Sequence, residues 1–119
     1  MKKEPQVYLA QILHHIFKIE ELTRDSKSEF LAQHVIHDAI INNFFDMGHI
    51  SKQVPEEYRK QYDGISWGIM DEFADTWPVL QEVDCLNPDH VWSVIENFLP
   101  VVKSQIQSLF PDLEQWENE

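Results

Sequence analysis

The sequence predicts an all-α fold, an antiparallel four-helix bundle joined by short turns. Three observations lead there. Apolar residues recur at helical spacing over most of the chain. Prolines and short polar residues stand at the borders of those series, where helices start and stop. No run of alternating apolar and polar residues marks a strand, and glycine occurs only at positions 48, 64 and 68.

The first helix is expected over about 5–22. Pro5 suits a first helical position, and Leu9, Ile12, Leu13, Ile16 and Ile19 share one face. A turn follows at Thr23–Lys27. Ser26 and Glu29 have the spacing of a capping box, and the series Phe30, Leu31, Val35, Ile36, Ala39, Ile40, Phe44 predicts a long second helix over about 28–52. Pro55 ends it and permits an extra short helix at Glu56–Gln61. Ser66 is the expected N-cap of the third helix, in which Trp67, Met70, Phe73, Ala74 and Trp77 share a face and Pro78 weakens the end. Asn87 followed by Pro88 reads as N-cap and first helical residue. From there Val91 to Leu109 form an amphipathic fourth helix that Pro100 should bend. The tail 111–119 is acidic and expected to fray unless Trp116 docks.

With 119 residues, 43% hydrophobic content and four tryptophans, residues 1–119 are expected to form one domain, large enough to bury roughly two-thirds of its unfolded surface. Cys85, the only cysteine, cannot close an intrachain disulfide, which favours a reducing compartment. In the N-terminal stretch Glu4 and Pro5 follow the two lysines, and His14 and His15 interrupt the apolar run. Neither a signal peptide nor a membrane span fits, so a cytoplasmic location is expected. The net charge of −12, with arginine only at positions 24 and 59, disfavours a general nucleic-acid surface, because such binding gains most of its strength by neutralising phosphates. A local patch of Lys52, Arg59 and Lys60 flanks a short connection and reads as solvated.

The segment from Asp38 to Trp67, DAIINNFFDMGHISKQVPEEYRKQYDGISW, resembles the HepT-like branch of the HEPN ribonuclease family. Asp38, Ala39, Ile41, Asn43, Gly48 and Trp67 fall on that family's pattern. Val83-Asp84, Val91-Trp92 and Leu99-Pro100 resemble later landmarks, so the likeness runs over about residues 8–110. It implies a HEPN-like bundle of four to five helices that forms a homodimer. It also implies an RNA-cleaving toxin neutralised by a small nucleotidyltransferase partner of the MntA type, with an R-x4-H-x-Y motif in the third helix. In several such systems the antitoxin transfers AMP to the motif tyrosine.

Aligned on IMDEFADTW, that motif is degenerate: Met70 stands for the arginine, Asp75 for the histidine and Trp77 for the tyrosine, while Asp71, Phe73 and Ala74 fit the surrounding pattern. Metal-independent RNA cleavage needs a base titrating near neutrality for the 2′-hydroxyl and a fixed cation for the charge building on phosphorus. Losing the base costs about 10²–10⁴ in rate, and losing one electrostatic donor costs about 10²–10³. Trp77 has no hydroxyl to accept AMP.

Other constellations have plainer readings. His34, His37 and Asp38 can share one face of the second helix and are candidate metal ligands, but no second Glu-x-x-His element accompanies them. Polar residues at a helix edge are the preferred reading. His49 could approach Asp71 or Asp75 as a charged pair, more readily structural than catalytic. Trp67, Trp77 and Trp92 read as core aromatics rather than a stacking platform for bases. No phosphate-binding loop or hydrolase motif occurs, and no cofactor is expected. The preferred reading is therefore a catalytically impaired HepT-like protein, a dimeric binding or regulatory partner of a nucleotidyltransferase. The alternatives are an active ribonuclease toxin with a site rebuilt from His49, Asp71 and Asp75, and a bundle that binds a small ligand or metal through His34, His37 and Asp38.

Overall fold

A computed structural model describes residues 4–24 and 27–112. The described residues form an all-α bundle of eight helical segments: α1 (Pro5–Leu22), α2 (Lys27–Ala32), α3 (His34–Gln53), α4 (Glu56–Gln61), α5 (Trp67–Asp75), α6 (Trp77–Glu82), α7 (Pro88–Asn97) and α8 (Leu99–Leu109). α1 and the short α4 have the bounds that the sequence predicts. Each of the other three predicted helices is divided in two.

The second helix breaks at Gln33, whose φ of −115° and ψ of 104° are extended. The break lets Phe30 turn inward onto His37 and Trp92, with ring centroids 5.1 and 5.3 Å away. Leu31 and Val35, which the sequence places on the buried face, are exposed instead, Val35 by 82%. The expected capping box at Ser26 lies outside the described residues. The third helix kinks at Thr76 rather than ending, because Pro78 has no N–H to continue the ladder. The chain then runs on as α6. The fourth breaks at Phe98, where Pro100 supplies the same defect one turn later.

Two expected N-caps fare differently. The Asn87 side chain accepts a 2.8 Å hydrogen bond from the Asp89 amide. Ser66 holds the N-cap position of α5 without capping it. Its hydroxyl and amide both meet Gln105 Oε1 of α8, at 3.3 and 3.2 Å. Of the acidic tail only Pro111 and Asp112 are described, as a turn; the expected docking of Trp116 lies outside the described residues.

α3 is central, packed on α1 and on α5, while α8 closes against α1 and α7. Gly48 marks the closest approach of α3 to α5. A Cβ there would lie 2.5 Å from the Ala74 amide nitrogen and 2.8 Å from the Met70 carbonyl oxygen. Beside that crossing, Phe44, Phe73 and Trp77 form an aromatic knot with centroids 4.6–4.9 Å apart. On the other flank of α3, Asn43 Oδ1 accepts from His15 Nδ1 at 2.7 Å, which ties α1 to α3, and Asn43 Nδ2 donates to the Ala39 carbonyl. No helix among the described residues is long and apolar enough to cross a membrane.

Candidate functional site

The three motif positions do not converge. Met70 and Trp77 are seven residues apart, close to two helical turns, so both face inward. Met70 is 0% exposed and Trp77 is 3% exposed, within the core. Asp75 lies on the outer side, where Lys52 of α3 pairs with it. Trp67 is buried as well, and Trp92 is half-buried against Phe30. The three described tryptophans are therefore core aromatics and offer no open stacking surface.

Asp71 is the anchor of a polar cluster at the junction of α3, α4 and α5. Arg59 Nη2 donates to Asp71, to the Ser51 hydroxyl at 3.0 Å and to the Ser51 carbonyl at 2.9 Å. The Ser51 hydroxyl donates to Asp71 Oδ1 at 2.8 Å. The guanidinium lies 5.5 Å from the Trp67 ring centroid, and the Trp67 indole N–H donates to the Tyr62 carbonyl at 3.0 Å. Burial pushes the Asp71 carboxyl up. The hydrogen bonds from Arg59 and Ser51, with the charges of Arg59 and Lys52, outweigh burial and hold it below the ordinary value. Ser51 is fully buried, and its hydroxyl is satisfied by this arrangement.

These contacts correct two expectations. His49 is exposed and joins neither aspartate: Asp71 takes Arg59, and Asp75 takes Lys52. Of the basic patch only Arg59 departs from the solvated reading, since Lys52 pairs with Asp75 while staying exposed and Lys60 is exposed as well. Arg59 is the residue that sequence reasoning undervalued. The signal for it lay in the two-residue link Val54–Pro55, which folds α4 straight back along the last turn of α3.

The remaining candidates, His34, His37 and Asp38, line one wall of a groove of about 550 Å³. Gln81 near the end of α6, Asp84, Cys85 and Leu86 of the α6–α7 connection, and Ile41 of α3 line the rest of it. Among the described residues no group of three or more His, Cys, Asp or Glu side chains is arranged to hold a metal, so the triad does not form a chelate. Burial, opposed by the Asp38 charge and reinforced by His34, lowers the His37 pKa.

Comparison with known proteins fits the helical frame. The chain is 29% identical over 119 residues to a Methanocaldococcus jannaschii protein named "Gamma-glutamylcyclotransferase and putative RNase", covering 99% of this chain and 53% of that protein. The chain thus spans about half the length of that relative. It is 25% identical over 114 residues to a second protein of the same archaeon, named "Putative RNase", covering 95% of this chain and 93% of that one. It is 26% identical over 110 residues to "Probable ribonuclease HepT" of Thermococcus cleftensis, covering 92% and 98%. No family model matches the chain, and no solved structure matches it. An all-α bundle and similarity along nearly the whole chain to a protein named as a probable ribonuclease HepT and to two named as putative RNases make this chain similar to HepT-like proteins.

Proposed function

We propose that this HepT-like protein has lost the RNA-cleaving chemistry of its family and acts as a dimeric binding or regulatory partner of a small nucleotidyltransferase. The observation that carries this reading does not depend on how the motif is registered: from Trp67 to Glu82, across all of α5 and α6, there is no Arg, Lys, His or Tyr. A phosphoryl-transfer site with no imidazole and no cation on its motif helix lacks both the base and the charge stabiliser.

Of the two cations that reach the motif helix, Lys52 is paired with Asp75, and Arg59 is no substitute either. Its guanidinium is committed to Asp71 and Ser51, and that pairing cancels the charge a phosphorane would need. Pairing is general. The described lysines and arginines are Lys18, Arg24, Lys27, Lys52, Arg59, Lys60 and Lys103. Arg24 pairs with Glu21, Lys27 with Asp89, Lys52 with Asp75, Arg59 with Asp71 and Lys103 with Glu20. Little basic surface is left for an RNA backbone.

Association is supported by what stays uncovered. Ile69 of α5, Val79 of α6 and Val83 just past its end have 46, 58 and 61% of their surface exposed. Large apolar side chains left exposed at three such positions are suited to burial in a subunit interface. Incubation of the purified protein with single-stranded RNA tests the reading. We expect no cleavage above background and no growth arrest on expression in a bacterial host. Robust cleavage that Asp75→Ala abolishes would overturn it in favour of a rebuilt ribonuclease.

A further inference from the structure

The short helix α2 buries a single side chain. Phe30 is 1% exposed, while every other residue from Lys27 to Ala32 is exposed. Gln33, extended, separates α2 from α3, so α2 can leave the bundle without unwinding the central helix. Lys27 pairs with Asp89 of α7 at 3.2 Å, but both side chains are exposed, and such pairs contribute little. An element with so little buried apolar surface is among the first to open.

The seat of Phe30 is titratable. Its ring centroid lies 5.1 Å from that of His37 and 5.3 Å from that of Trp92. His37 Nε2 is buried and has no hydrogen-bond partner. In a neutral imidazole that nitrogen can remain a bare lone pair. In the imidazolium both ring nitrogens carry protons, so a charged N–H would be buried without an acceptor, at a much larger cost.

The surrounding groups do not remove that cost. Burial lowers the His37 pKa from 6.5, Asp38 opposes burial and His34 reinforces it. Asp84 and Cys85 line the same groove as His37 from the α6–α7 connection. On α2, Lys27 is paired with Asp89, and Glu29 accepts from Gln33 Nε2. On α7, His90 lies against Trp77.

We propose that α2 is a pH-gated flap: proton uptake by His37 lifts Phe30 from its seat and frees α2, so that water reaches the imidazolium. The open form binds the proton first. Closure is therefore complete above 6.5 and weakens as pH falls below it, with the open-to-closed ratio rising at most about tenfold per pH unit for one proton.

The test is a magnetic-resonance titration of the isotopically labelled full chain from about pH 8 to pH 5. It follows the His37 ring signal and the Overhauser contact between the Phe30 and Trp92 rings. We expect that contact to fade as His37 titrates, to persist across the range in His37→Gln, and to fade as in the parent in His34→Gln. Reciprocity requires that Phe30→Ala raise the His37 midpoint towards 6.5. The flap is refuted if the Phe30–Trp92 contact survives protonation of His37 in the parent chain. It is refuted equally if the contact still fades in His37→Gln, if it no longer fades in His34→Gln, or if Phe30→Ala leaves the midpoint unmoved.

Discussion

At position 48 a hydrogen atom is all that the packing of α3 on α5 allows. The neighbours of a Cβ there are largely backbone, the Ala74 nitrogen and the Met70 oxygen, which cannot swing aside as a side chain can. Gly48→Ala should therefore destabilise the fold by about 1–3 kcal/mol, the usual cost of overpacking, measured by urea denaturation. Asp71 makes a second prediction at this scale. Its pKa is held below the ordinary 3.8 by the hydrogen bonds and charges that outweigh burial. The unfolded chain then binds the proton first as pH falls, so the contribution of Asp71 is complete above the ordinary carboxylate range and disappears as pH drops through and below it. Asp71→Asn should flatten this acid limb in thermal melts taken across that range. An unchanged limb would show that the Arg59 cluster contributes nothing to it.

Among the elements, the breaks matter more than the helices. Pro78 and Pro100 each remove one donor from a helical ladder, and the chain responds with a kink at Thr76 and another at Phe98. Those defects convert two long helices into four short ones that wrap the aromatic knot of Phe44, Phe73 and Trp77. Short helices depend more heavily on their caps. Of the two expected N-caps among the described residues, Asn87 is the one whose side chain performs that role, so Asn87→Ala should cost about 0.5–2 kcal/mol, with α7 the first element to lose amide protection in hydrogen exchange. Ser66→Ala should leave the start of α5 intact and act only through the lost contact with Gln105. Equal loss of α5 protection in both variants would refute that distinction.

For the whole molecule, the proposed association would rest on hydrophobic contact at the exposed Ile69, Val79 and Val83 rather than on phosphate, given the acidic charge. Light scattering should return the mass of a dimer, and Val79→Asp, which puts a charge where 58% of the valine is exposed, should shift it to monomer. A monomeric parent would remove the dimer. The fold was largely legible in advance: α1 and α4 have the expected bounds, and the kinks at Thr76 and Phe98 follow from Pro78 and Pro100. Gln33 was not legible. Its break follows from the inward turn of Phe30 onto Trp92, a residue 62 positions away, and no local pattern encodes that contact.

The sequence by itself determined the helical class, the places where the ladder must fail, and the absence of imidazole and guanidinium from the motif helix, because periodicity, proline chemistry and residue identity are local properties. Tertiary structure alone decided that Arg59 would be spent on Asp71, that Met70 and Trp77 would be sealed in the core, and that Asp84 would face the histidines of α3 across a groove. Those outcomes depend on which helix faces meet. That is set by packing between segments distant along the chain, where a charge finds its partner only after the apolar surfaces have closed.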